Sequence, residues 1–134
     1  MVRIRHIAIA TRDPEGTAAF YMDGLGLAKV AELNSSTATG YYLTDGHINL
    51  AILAFKESDA AFTEGAFRYT GMHHFGVEVD SIADGKERIE AAGAIHRPYP
   101  GTDEMEARGN VEVKFSGPDG VTIDLSEHGW AGTS

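Results

Sequence analysis

The chain has 134 residues, 43% hydrophobic and 23% charged, the make-up of a globular protein able to bury a real core. Its net charge of −9, with six histidines counted neutral, argues against nucleic acid or an anionic membrane as partner, because both are held by basic patches. Without Cys there is no disulfide framework, thiolate metal site or Cys nucleophile, and no apolar run approaches a membrane span.

The opening Met1-Val2-Arg3-Ile4-Arg5 lacks a signal-peptide apolar region, so the expectation is a soluble cytoplasmic protein. Residues 3–11, with Ile4, Ile7 and Ile9, read as a strand. Asp13-Pro14-Glu15 then supplies an N-cap, a first-turn proline and a first-turn acid, predicting a helix to about Met22 that stops before Gly24-Leu25-Gly26-Leu27. Strands follow at 28–33, 38–43 and 47–55, the last preceded by the turn Asp45-Gly46. A less regular stretch, 56–71, joins the halves.

The second half repeats the order. A strand over 73–79 leads to Ser81 as N-cap and a helix from Ile82 to about Ala92, ended by Gly93. Strands follow at 94–98, 110–116 and 121–127. Pro98, Pro100 and Gly101 interrupt the chain after the first of these, and Pro118-Asp119-Gly120 makes a turn before the last. The acidic run Asp103-Glu104-Met105-Glu106 reads as a solvated loop.

Both halves therefore read βαβββ, and both open on a histidine: His6-Ile7-Ala8-Ile9 and His74-Phe75-Gly76-Val77, 68 residues apart. The repeat predicts one unit duplicated within a single domain of residues 1–134, with module one at about 1–56 and module two at about 72–130. Two equivalent histidines can converge on one centre if the modules pair. On the last strand, alternation places Thr122, Asp124 and Ser126 on one face. An acid with apolar neighbours on such a strand needs a partner, and a cation would satisfy it.

The motifs His6-Ile7-Ala8-Ile9 with Asp13-Pro14, Phe20-Tyr21 before Gly24-Leu25-Gly26-Leu27, His74-Phe75-Gly76-Val77-Glu78-Val79-Asp80 and Gly117-Pro118-Asp119-Gly120-Val121-Thr122-Ile123-Asp124-Leu125 resemble the vicinal oxygen chelate superfamily. That group includes glyoxalase I, methylmalonyl-CoA epimerase, type I extradiol dioxygenases and bleomycin resistance proteins. The resemblance covers essentially the whole chain. It implies an α+β fold in which two βαβββ modules form an open, cupped eight-stranded barrel, often completed by homodimerisation.

The resemblance also implies a metal site drawing one ligand from the first and one from the last strand of each module. His6 and His74 match the first-strand positions, and Asp124 matches the last strand of module two, where Glu is more usual. The fourth position falls near Ala51, which cannot ligate. Two imidazoles and one carboxylate form the facial set of non-haem iron, and Ni, Co, Zn or Mn could use the same ligands. The metal-side carboxylate, here Asp124, is often the base in such sites. His47 and Asn49 share a face with Ala51 and are candidate pocket residues, as is His128 after the last strand. His73, adjacent to His74, should face the opposite way unless the strand is irregular.

Two functions follow as expectations. One is a metal-dependent enzyme acting on a small substrate that chelates the ion through neighbouring oxygens, as an isomerase, a lyase or a ring-cleaving dioxygenase. The other is a non-catalytic small-molecule-binding protein of the bleomycin-resistance type, for which net acidity suits a cationic ligand.

Overall fold

A computed structural model describes residues 1–57, 69–98 and 112–133. The acidic run at 103–106, Pro100-Gly101, most of the 56–71 stretch and the start of the strand expected at 110–116 lie outside them. In chain order the elements are β1 (Arg3–Ala10), α1 (Pro14–Leu25), β2 (Ala28–Asn34), β3 (Ala38–Thr44) and β4 (Asn49–Phe55). The second half holds β5 (Gly71–Glu78), α2 (Ile82–Ala91), β6 (Ile95–His96), β7 (Val113–Ser116), a 3-10 turn (Pro118–Gly120) and β8 (Thr122–Ser126).

Both helix starts follow the sequence. The Asp13 carboxylate accepts from the Gly16 N–H at 3.0 Å, and the Ser81 hydroxyl accepts from the Asp84 N–H at 3.2 Å. Helix α1 runs further than expected, through Gly24 to Leu25. It ends only where Gly26 takes a left-handed conformation at φ 74° and returns its N–H to the Met22 carbonyl.

The eight strands form one mixed sheet in the order β2-β3-β4-β1-β5-β8-β7-β6, cupped rather than closed. The order is symmetric about the β1–β5 seam. These repeat-equivalent strands pair antiparallel, while β1–β4 and β5–β8 pair parallel. Each half packs its helix on the outer face. Ala18, Tyr21 and Met22 of α1 meet Leu43 and Ile52, and Ile82 and Ile89 of α2 meet Phe115 and Leu125. Fully burying a large apolar side chain such as Leu43, Ile52 or Phe115 contributes about 1.5–3 kcal/mol.

The inner face is different. Strand register aligns Lys114, Asp124, Gly76, His6, Asn49 and Thr44 as one row across β7, β8, β5, β1, β4 and β3. Residues paired across strands project to the same side, so this row is continuous.

Each seam strand carries one bulge. Ile4 pairs Val77 and His6 pairs Gly76, leaving Arg5 extra; Ala8 pairs His74 and Ile9 pairs Met72, leaving His73 extra. Arg5 and His73 are equivalent in the repeat, so the duplicated unit carries its bulge immediately before its histidine. A bulge re-aims the side chains around it.

Candidate metal centre

Antiparallel pairing of the equivalent strands sets His6 opposite Gly76 and His74 opposite Ala8. Each imidazole faces a small residue, and the two rings meet across the seam. His6 Nε2 lies 3.1 Å from His74 Nε2, and His74 Nε2 lies 3.2 Å from Asp124 Oδ2. One ligand atom from each of His6, His74 and Asp124 falls within 4.8 Å of the others. Among the described residues this is the one such group. All three side chains are buried.

The surrounding groups decide which lone pairs are available. Asn49, fully buried, donates from Nδ2 to the Ala131 carbonyl at 2.9 Å, which fixes its amide with Oδ1 toward His6. Oδ1 lies 2.7 Å from His6 Nδ1 and can only accept, so His6 carries its proton on Nδ1 and presents an Nε2 lone pair to the centre. His74 Nδ1 sits 2.7 Å from His73 Nδ1, where either ring can donate.

Electrostatics follow from burial. Burial, with His74 alongside, lowers the His6 pKa to about 4, against the pull of Asp124 and the Asn49 hydrogen bond. Burial alone would raise the Asp124 carboxyl. The Lys114 ammonium, then His74 and His6, outweigh it and hold the group well below the usual carboxylate range. Lys114 Nζ lies 2.8 and 3.0 Å from the two Asp124 oxygens.

A second carboxyl stands nearby. Glu112 precedes Lys114 by one strand period, and its Oε1 accepts from Trp130 Nε1 at 2.7 Å. Burial and the Asp124 charge push its pKa up to about 7, opposed by Lys114, His74 and the Trp130 hydrogen bond.

The C-terminal segment runs along the polar row and covers it. The Trp130 ring stacks on His6 at 4.8 Å, the Ala131 carbonyl takes the Asn49 amide, and the Gly132 carbonyl accepts from Thr44 at 3.0 Å. Gly76 is required there, because a Cβ would stand 2.6 Å from the Trp130 ring and 2.9 Å from His6 Cβ. Access comes from the side: a cleft of about 550 Å³ is lined by Tyr69, Met72, His73, His74, Asp119 and Thr122, among others.

The residues singled out by sequence divide accordingly. His6, His74 and Asp124 come together. Ala51 lies fully buried in the apolar cluster with Ala8 and Leu53 and offers no ligand. Asn49 reaches the site, but through the His6 ring. His47 does not reach it: Asp45 Oδ1 accepts from both the His47 and Ile48 N–H groups at 2.8 Å, which holds His47 exposed in the turn before β4. His128 is exposed as well, and Trp130, two residues on, makes the closure instead. His73 turns toward His74 because of the bulge. Lys114, Glu112 and Trp130 were missed. The first was readable by counting outward from the Pro118-Asp119-Gly120 turn, which sets Ser116 opposite Thr122 and Lys114 opposite Asp124.

The donor chemistry fits a divalent ion. Two imidazole nitrogens and one carboxylate oxygen converge, one nitrogen is fixed as a lone pair by a neighbouring acceptor, and Lys114 holds the carboxylate in place. A cupped α+β sheet of two equivalent halves, with this donor set at the seam, defines the class as glyoxalase-like. The chain belongs to the Glyoxalase/Bleomycin resistance protein/Dioxygenase superfamily, whose family profile matches residues 3–125. No curated protein matches it in sequence. Among solved structures, a hypothetical protein of Bacillus halodurans is 22% identical, with 93% of each chain covered and a TM-score of 0.73. A methylmalonyl-CoA epimerase variant of Streptomyces coelicolor, in complex with 2-nitronate-propionyl-CoA, is 22% identical over 92% of this chain and 95% of that one, with a TM-score of 0.71. The methylmalonyl-CoA epimerase of Mycobacterium tuberculosis is 20% identical over 92% and 85%, with a TM-score of 0.62.

Proposed function

We propose that this protein is a metal-dependent enzyme acting on a small substrate that chelates a divalent ion through neighbouring oxygens. His6, His74 and Asp124 would hold the ion. The observation that carries the reading is the convergence of His6 Nε2, His74 Nε2 and Asp124 Oδ2 beside a cleft. Bound there, the ion would polarise a substrate carbonyl and acidify the carbon next to it.

The chain's own residues supply the rest. Asn49 keeps His6 Nε2 unprotonated. Trp130 excludes water from one side, and the cleft beside His73 and His74 orients the substrate. Asp124, tied to Lys114 and held strongly ionised, is a poor base, so the proton-transfer role falls to Glu112, whose pKa of about 7 suits it. Its carboxylate would accept the proton from carbon and return it to the same or the neighbouring carbon. That is isomerase or epimerase chemistry, and the solved methylmalonyl-CoA epimerase complexes on the same fold support it over ring cleavage. The reading includes a cytoplasmic location and, on the resemblance alone, a homodimer.

The test is metal content after loading purified protein with Fe, Ni, Co, Zn or Mn. Wild type should take up one ion per chain, and His6→Ala and His74→Ala should lose it. No uptake by wild type overturns the reading. One observation favours the second reading, a non-catalytic binding protein: Asp124 is already paired with a cation, Lys114. That reading expects no metal in wild type.

A further inference from the structure

The ion pair beside the proposed ligands sets the charge of the site. The Lys114 ammonium reaches both oxygens of Asp124 from the neighbouring strand, and both side chains are buried, Asp124 completely. A buried pair of this kind is held by its register rather than by chance contact, since Lys114 and Asp124 stand directly opposite in the β7–β8 ladder. The other two donors, His6 and His74, bring no charge when they present lone pairs. The donor set plus Lys114 is therefore neutral, so among the described residues this set would leave the two positive charges of a divalent ion uncompensated. Glu112, a further carboxyl near the site among the described residues, is drawn toward its neutral form by burial and offsets only part of them. In a buried site such charge is weakly screened and must be met by the ligand.

We infer that Lys114 is a specificity-determining residue: by neutralising Asp124 it selects a doubly negative oxygen chelator, such as a carboxylate flanked by a second ionised oxygen, over a singly charged one of the same shape. This deepens the metal-dependent reading above and rests on it. Lys114 acts by charge, so two effects of removing it run in opposite directions. The bare ion should bind more tightly, because a repelling cation is gone. The dianionic chelator should bind less tightly, because an attracting cation is gone. A merely structural lysine would weaken both.

The test uses Co(II) and the pair oxalate and oxamate, which share a skeleton but differ by one charge. Binding of each to the Co(II)-loaded protein is measured by calorimetry for wild type, Lys114→Gln, Lys114→Met and Lys114→Arg. Gln keeps a hydrogen-bond donor to Asp124, Met keeps the length, and Arg keeps the charge, so either neutral variant suffices if the other does not fold. In Lys114→Gln or Lys114→Met the ratio of oxalate to oxamate affinity should fall about tenfold, and Co(II) affinity should rise, consistent with one unit charge a few ångströms away at intermediate dielectric. Lys114→Arg should keep the wild-type ratio. An unchanged ratio in the neutral variants, with Co(II) bound, overturns this inference and leaves the metal-dependent reading standing. A wild type that takes up no Co(II) or other loaded metal overturns that reading and this inference with it.

Discussion

The two halves of the molecule share a strand order, a capped helix and a bulge before a histidine, yet they contribute unequally to the centre. The first half brings His6 and the neutral Asn49, and at the position equivalent to Asp124 it has Ala51 packed among apolar side chains. The second half brings His74 and, among the described residues, the ionisable groups Asp124, Lys114 and Glu112. Duplication explains why two imidazoles face each other across the seam. Divergence explains why the charge lies on one side, where β7 and β8 pair. The lesson is that the symmetric part of the site sets position and the asymmetric part sets chemistry.

Asp124→Asn strikes the charged half hardest and should give the largest effect. It removes one proposed ligand and leaves the Lys114 ammonium buried without its carboxylate, a loss of about 3–5 kcal/mol. Urea denaturation of metal-free protein reads the stability, and metal titration should show uptake abolished. A variant as stable as wild type would mean that Lys114 does not depend on Asp124. The neutral half is tested by Asn49→Ala, which frees His6 Nδ1 and should cost about 10–100-fold in metal affinity. The equivalent partner on the other side, His73, can donate or accept and so enforces no tautomer. His73→Ala should therefore cost less than Asn49→Ala in the same titration.

The shared part of the design was legible in the sequence because it rests on local chemistry. Asp13 and Ser81 cap their helices by the side-chain rule, and the histidine repeat places β1 beside β5. What stayed hidden depends on register or on irregular backbone. Period-two alternation sends His73 away from His74, and only the bulge reverses that. Lys114 reads as an ordinary strand residue until it is paired with Asp124. The segment at Trp130 has no periodicity, and its role appears only when its ring lies over Gly76 and its carbonyls cap the polar row. His47 is exposed in the turn because the Asp45 carboxylate takes two backbone donors there and the strand starts at Asn49.

Gly76 and Ala8 offer a smaller test of the same asymmetry, since they are equivalent in the repeat and each faces a histidine. Gly76 lies under the Trp130 ring, whereas Ala8 packs in the apolar cluster with Ala51 and Leu53. Gly76→Ala puts a methyl 2.6 Å from the Trp130 ring, which must shift, at about 1–3 kcal/mol of stability and with loss of the stacking on His6. Trp130 fluorescence and thermal melting read both effects together. An unshifted emission maximum with unchanged melting would mean that the C-terminal segment is not seated on the row.

The smallest effect expected in wild type is also the most specific, because the two halves oppose each other in pH dependence. His6 titrates at about 4 in the folded protein against an ordinary 6.5, so the unfolded chain binds more protons between those values and stability rises with pH across that window. Glu112 titrates at about 7 against an ordinary 4.5, so the folded protein binds more protons there and stability falls as pH rises. Each gap is worth about 3 kcal/mol when fully expressed. Asp124, held below the ordinary carboxylate range, acts only at more acid pH. Between pH 4.5 and 6.5 the two contributions nearly cancel, and metal-free wild type should change by less than about 1 kcal/mol. Glu112→Gln removes one side of the balance. Its stability should then climb by about 2 kcal/mol over the same interval, as His6 alone dictates. Urea midpoints of both proteins at pH 4.5, 5.5 and 6.5 decide the matter, and parallel curves would show that Glu112 does not carry the buried proton.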